Sequence, residues 1–465
     1  MASNQKKYNT YRLTFGEMVY ESYSYSVDAE GLKLEFAFRL NDKIVFRPTA
    51  AIPRRPFLDF NQPKELMDIL VFNIGMIELV SYWKCVCPPV VRVLPHSLDD
   101  EQIRFWKKIY FNGLGEFFYT NGINASQDDF MTIVSNPQSA VSWQATQALK
   151  PSSTQAITNY LVPIGGGKDS VVTLEALRPR GVRPLIMNPR GATTLCAERG
   201  GFSPEETLVI NRRIDPLLLD LNAKGCLNGH TPFSAMLAFY SLLIATLAGR
   251  SRIALSNESS ANEPTVQGSD VNHQYSKSIA FESDFREYVA RHLTESISYH
   301  SFLRPLSELQ IAMLFSRCSA YHPVFRSCNV GSKQDIWCGH CPKCLFTCIM
   351  LSAFLPEEKV REIFGKGLLE DETLWPVMKE LCGETDVKPF ECVGTREEVC
   401  MALCEIIRQY GNRDESLPTL LTSFKRTALY EAYRQRDFQP LLSAWDPHHF
   451  LPEDEELLLR KALGI

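Results

Sequence analysis

The sequence predicts an α/β protein: a central parallel sheet covered by helices, with an N-terminal α+β domain before it and a C-terminal helical region after it. Three observations carry that prediction. Strand-like and helix-like apolar runs alternate from about residue 156 to 355, a Tyr-, Phe- and Val-rich alternating stretch precedes them, and charged amphipathic helices follow.

In chain order, residues 8–52 contain "LKLEFAFRL" and "KIVFRPTAAI", separated by "DAEG" and "ND", and read as strands and hairpins. After Pro63, "KELMDILVFNIGMIELVSYW" places apolar residues at helical spacing, and a second helix begins near "SLDDEQIRFWKKIYF" with Ser97 as N-cap. Residues 1–125 thus form a mixed β/α domain, and polar residues 126–155 read as a connector. Within 156–355, "YLVPI", "RPLIMN", "ETLVIN" and "RIALSN" read as strands, with "VVTLEAL" and "FSAMLAFYSLLIATLAG" between them as helices. From 356 to 465, "REEVCMALCEIIRQY" and "DEELLLRKALG" are amphipathic helices. In such a sheet, binding groups gather where strands end and turns begin.

The chain has 465 residues, 45% hydrophobic and 22% charged, enough for two or three packed domains. A net charge of −5 gives no electrostatic argument for a nucleic-acid partner. No apolar run approaches the roughly 20 residues of a membrane span, and "MASNQKKYNT" lacks a signal-peptide core, so the expected address is the cytoplasm with no membrane partner. Fourteen cysteines in such a chain read as thiols or metal ligands. Cys85, Cys87, Cys196, Cys226, Cys318, Cys382, Cys392, Cys400 and Cys404 are expected to be buried, inert thiols.

Two motifs carry chemistry. In "YLVPIGGGKDSVVTLEAL", a strand runs into Gly165, Gly166 and Gly167, then into a helix opened by Lys168, Asp169 and Ser170. Such a turn aims backbone N–H groups at one point, the helix dipole favours negative charge there, and Lys168 adds a cation, so the turn suits phosphate. The common P-loop does not fit, because Val162 stands where its first glycine belongs and Asp169 follows the lysine. In "SCNVGSKQDIWCGHCPKC", Cys328, Cys338, Cys341 and Cys344 are a complete thiolate set for one structural zinc.

The turn from Gly165 to Ser170 resembles the SGGxDS signature of the ATP-pyrophosphatase (PP-loop) superfamily, whose members split ATP into AMP and pyrophosphate to adenylate a substrate; here Gly165 replaces the leading serine. The resemblance implies an adenine nucleotide alpha hydrolase-like fold for the central domain, ATP phosphates held by the turn, and Mg2+ nearby. The cysteine cluster is similar to the zinc knuckle of the 7-cyano-7-deazaguanine synthase branch over roughly residues 160–348. With the flanking regions, "SNESSANEP" and "NHQYSKS" included, the chain looks more like the bacterial UDP-N-acetylmuramoyl-L-alanyl-L-glutamate epimerases. That resemblance implies ATP-dependent inversion of the terminal L-glutamate of UDP-MurNAc-L-Ala-L-Glu during peptidoglycan precursor synthesis. The competing readings are another adenylating enzyme, acting on a deazapurine or a tRNA, and a non-catalytic nucleotide-binding scaffold.

Inversion requires a base past the carboxyl edge of the sheet, where "SNESSANEPTVQGSDVNHQYSKS" follows a strand. It offers Asn257, Glu258, Asp270, His273 and Lys277, among which His273 alone has an ordinary pKa near neutrality and is the expected base. Glu258 and Asp270 are the alternatives, as bases or as Mg2+ ligands. Lys168 and Asp169 complete the expected catalytic set, with His230, Asn257 and Lys277 as expected substrate contacts.

Overall fold

The structure is a computed structural model that describes residues 2–135, 159–269, 271–413 and 416–465. It begins with a helix, Ala2–Thr14, where the sequence pattern suggested strand from residue 8. The aromatic spacing explains the difference: Tyr8, Tyr11 and Phe15 follow a helical period, with Tyr8 buried and Arg12 donating to the carbonyls of Cys87 and Phe130. The next strands are β1 (Glu17–Val27), β2 (Gly31–Asn41), β3 (Ile44–Phe46) and β4 (Thr49–Pro53). Asp28 Oδ1 accepts from the N–H groups of Glu30 and Gly31, and Asn41 Oδ1 from those of Lys43 and Ile44, so the expected turns close on their own side chains.

Helix Lys64–Trp83 follows as expected. Helix Asp100–Gly113 is capped by Asp99 in a reciprocal box with Gln102, not by Ser97. Between them lies β5 (Val90–Val93), and the polar stretch expected as a connector contains β6 (Thr132–Ser135) after a turn; its residues 136–155 lie outside the described residues. The remaining strands are β7 (Tyr160–Pro163), β8 (Val182–Met187), β9 (Leu208–Arg213), β10 (Arg252–Leu255) and β11 (Ser298–Ser301).

All eleven belong to one sheet, in the order β11-β10-β7-β8-β9-β4-β2-β1-β5-β6, with β3 on β2. The five from β11 to β9 are parallel; β9 then pairs antiparallel with β4, placing Thr49 opposite Arg213 and Ala51 opposite Asn211. The N-terminal strands therefore extend the central sheet. Alternation along the central strands fills two layers: Leu161, Leu185 and Ile253 face one apolar cluster, while Val162, Ile186 and Ala254 face the other. Helices Lys64–Trp83, Phe233–Leu247 and Ile279–His292 form the first layer, and Lys168–Leu177, Glu308–Ser316, Pro342–Ser352 and the C-terminal helices form the second.

Among the described residues one helix, Lys64–Trp83, is long and apolar enough to cross a membrane, which corrects the expectation that no such run exists; 94% of its apolar window is buried inside the fold. Its interior charge, Glu78, is matched by Arg212 at the end of β9. At the amino edge of the sheet, buried Glu455 of helix Glu453–Leu463 accepts from Tyr160 Oη at 2.9 Å, His300 Nε2 at 2.6 Å and Arg252 Nη1 at 2.9 Å. That anchor leaves the opposite, carboxyl edge open for the site.

Candidate functional site

The carboxyl ends of β7, β10 and β11 converge on one polar centre. From β7 the chain enters the glycine turn. Gly166 has φ +81°, and a Cβ there would lie 2.9 Å from the carbonyl carbon of Ala192 and 3.0 Å from the nitrogen of Thr193, so glycine is required by conformation and by space. Gly167 is the N-cap of helix Lys168–Leu177 and supplies no side-chain cap, while Ser170 Oγ donates to its carbonyl at 3.0 Å. The N–H groups of the first turn are thus left for an anion, at the positive end of the helix dipole. Gly165 is exposed, and its carbonyl accepts from Arg190 Nη2 at 3.2 Å.

Lys168 turns inward, buried between the carboxylates of Asp169 and Glu308. Asp169, Glu258 and Glu308 each bring an oxygen within 4.8 Å of the others, a set that could hold a divalent cation. Burial pushes Glu308 up to about 8, with Asp169 and Glu258 adding repulsion against the pull of Lys168. Asp169 moves the other way: although burial would raise it, the ammonium groups of Lys168, Lys343 and Lys277 hold it below the ordinary range. Asn257, placed between β10 and these carboxylates, donates to Ser301 Oγ at 3.0 Å.

A second cluster adjoins the first. Glu116, in the first turn of helix Gly115–Asn121, bridges two imidazoles, with Oε2 2.5 Å from His273 Nδ1 and 3.2 Å from His230 Nδ1. Burial would lower His273, but Cys392 and Glu116 raise it to about 9, which favours its protonated form at neutral pH. Burial, with positive His273 beside it, lowers His230 to about 4 and keeps it neutral. Lys277 Nζ donates to Cys392 Sγ at 3.2 Å, and Lys343 Nζ donates to the Cys392 carbonyl. Burial alone would raise Cys392, but Lys277, His273 and Lys343 bring it down to about 6. The thiol expected to be buried and inert is half-buried and meets three cations that its local sequence does not reveal. Cys196 does behave as expected: it is fully buried and raised to about 12 by burial. Asp270 lies outside the described residues.

The four cysteines come together below the glycine turn. Sulfur separations of 3.8 Å (Cys328–Cys341), 3.7 Å (Cys338–Cys344) and 3.5 Å (Cys341–Cys344) compare with about 3.8 Å for the edge of a ZnS4 tetrahedron with Zn–S of about 2.3 Å. Gly331 N–H donates to Cys328 Sγ at 3.1 Å, as thiolate ligands favour. The preceding residues reach the turn: Arg326 N donates to the Gly166 carbonyl at 2.8 Å, and Ser327 Oγ would lie 2.8 Å from a Cβ on Gly167. A metal held there would stiffen the turn from beneath.

An anion-binding turn, clustered carboxylates and a thiol held among cations, all at the carboxyl edge of a parallel sheet, define an α/β protein equipped to bind a charged ligand and move protons. The chain belongs to the MurL family: the MurL N-terminal domain matches residues 10–302 and the MurL C-terminal domain residues 324–434. It is similar to a UDP-N-acetyl-alpha-D-muramoyl-L-alanyl-L-glutamate epimerase of Xanthomonas oryzae pv. oryzae, 36% identical over 375 residues, 78% of this chain and 80% of that one. Proteins of the same name from a Micromonospora species and from Salinispora tropica are each 36% identical, covering 82% and 79% of this chain and 83% and 79% of their own lengths. No solved structure matches.

Proposed function

We propose that this protein inverts the terminal L-glutamate of UDP-MurNAc-L-Ala-L-Glu to D-glutamate, through an acyl-adenylate formed from ATP with release of AMP and pyrophosphate. The observation that carries the reading is the meeting of an uncapped phosphate-type turn with a thiol–imidazole cluster at one sheet edge, in a chain 36% identical to proteins named as that epimerase.

The chemistry explains the use of ATP. Removing Cα–H beside an ionised carboxylate concentrates negative charge on one small unit. Adenylation of that carboxylate removes its charge and acidifies the hydrogen. In this reading Gly165, Gly166 and Gly167, with the first N–H groups of helix Lys168–Leu177, receive the phosphates. Asp169, Glu258 and Glu308 would hold Mg2+, which neutralises phosphate charge, and Lys168 spaces these carboxylates. Cys328, Cys338, Cys341 and Cys344 would hold zinc, whose contribution is folding energy. In this reading Asn257, Lys277 and His230 contact the glutamyl end. Proton transfer falls to the cluster around His273.

The test is turnover in heavy water with UDP-MurNAc-L-Ala-L-Glu, ATP and Mg2+. The expected products are the D-glutamyl compound carrying deuterium at Cα, AMP and pyrophosphate. Label entering without ATP, or ADP and orthophosphate as products, would overturn the adenylate route. Pyrophosphate released with neither label nor inversion would favour a different adenylating enzyme.

A further inference from the structure

Cys392 lies in the loop between helices Trp375–Cys382 and Arg396–Arg413, and several elements fix it there. Lys343 holds its own carbonyl, Gln274 Nε2 donates to the Val393 carbonyl at 3.5 Å, and Lys388 Nζ donates to the Gly394 carbonyl at 2.8 Å. The backbone upstream pairs with the segment after β10, with Lys388 N donating to the Thr265 carbonyl at 3.0 Å. The sulfur is therefore positioned, in a residue that is half-buried as a whole. A groove of about 620 Å³, lined by Pro342, Lys388, Phe390 and Glu391 among others, runs up to the residue before it.

The sulfur lies among three cations. Lys277, Lys343 and His273 face it, and on its own chain Glu391 adds one carboxylate beside it. Glu116 answers His273 from behind, between that ring and His230. Among the described residues, Sγ is the only hydrogen-bond acceptor that Lys277 Nζ meets. Lys277 donates to the sulfur, and His273 and Lys343 lie near it, a setting that favours the thiolate over the thiol. Lys277 and Lys343 also face Asp169, so the sulfur and the start of the phosphate-type turn share the same two ammonium groups.

We propose that Cys392 is the catalytic base of the inversion, taking the Cα proton of the activated glutamyl residue onto its sulfur. This rests on the epimerase reading above. The S–H bond forms as the Cα–H bond breaks, and the electron pair moves into the carbonyl of the activated carboxyl group; no oxidant or reductant is involved. His273, protonated against the same sulfur, is placed to steady the thiolate before it takes the proton. A different donor serves the opposite face of the carbanion. A lowered thiol pKa, to about 6, fits a base that is ready at neutral pH.

The experiment uses the full chain. Iodoacetamide labelling followed by peptide mapping should modify Cys392 with a midpoint near pH 6, and UDP-MurNAc-L-Ala-L-Glu with ATP should protect it. In heavy water, Cys392→Ser should slow deuterium entry at Cα by roughly 10²-fold or more beyond any loss of pyrophosphate release, which also reports that the variant is folded. Lys277→Met should move the acidic limb of the exchange profile to higher pH. Exchange in Cys392→Ser at the wild-type rate, in a protein whose wild type inverts its substrate, would overturn the proposal alone. A hydroxylamine-sensitive glutamyl adduct on Cys392 would also overturn it, by making the sulfur a nucleophile. Wild-type protein that neither exchanges nor inverts would remove the epimerase reading and the proposal together.

Discussion

Arg212, at the end of β9, donates through Nε and Nη2 to the two carboxylate oxygens of Glu78 at 2.5 and 2.6 Å, inside the layer where helix Lys64–Trp83 meets the central sheet. Tyr240 Oη donates to the same carboxylate at 3.0 Å. Arg212→Ala would strand a buried anion and is expected to cost about 3–5 kcal/mol. Removing both charges together, as Glu78→Leu with Arg212→Met, should cost clearly less. Urea unfolding of the two variants compares them, and equal losses would show that the pairing matters less than the packing.

The two ends of the glycine turn should respond differently to substitution. Gly166→Ala places a Cβ at positive φ against the backbone of Ala192 and Thr193, so the turn must shift. A displacement of about 1 Å is enough to slow chemistry by roughly 10²-fold, so pyrophosphate release should fall at least that far. At Gly165 a Cβ meets nothing within 4 Å, and Gly165→Ser should keep release within about tenfold of wild type. Equal losses would place the nucleotide elsewhere.

Metal analysis of purified, reduced protein should find about one zinc per chain. Cys341→Ser should lower the unfolding midpoint and release the zinc, with loss of activity following loss of fold, because the energy of a structural ion is folding energy. Metal-free protein with an unchanged melting curve would contradict that role.

His230 should make the fold acid-sensitive. Its folded pKa is depressed to about 4, against about 6.5 when unfolded, so between these values the unfolded chain binds a proton that the native site refuses. Stability is therefore lost as pH falls from 6.5 toward 4, by about 2 kcal/mol at pH 5. His230→Gln should flatten that part of the profile in denaturant titrations at pH 7 and pH 5. An unchanged slope would show that the acid limb belongs to other groups.

Much of the fold was legible because its signals are local. Helix Lys64–Trp83, the strands from β7 to β10 and the glycine turn are written in consecutive residues, as is the spacing of Cys328, Cys338, Cys341 and Cys344. What escaped depends on distance along the chain. Cys392 meets Lys277 across 115 residues and His273 meets Glu116 across 157, and nothing near any of them marks the partnership. Strand β11, "SYHS", lacks an apolar pattern because its buried His300 is satisfied by Glu455, which lies 155 residues away. The joining of β4 to β9 was equally hidden, since register between distant strands leaves no trace in either one.

The seam between β4 and β9 also sets a timetable for the growing chain. At about 5–20 residues per second, a ribosome finishes β4 roughly 8 to 30 seconds before β9 appears. Until then β4 is the last strand of an incomplete sheet, its outer backbone groups bare and open to pairing with a neighbouring nascent chain. A chaperone attending this protein during synthesis would have its reason to linger at Thr49–Pro53, and a fragment ending before Leu208 would keep that edge for good.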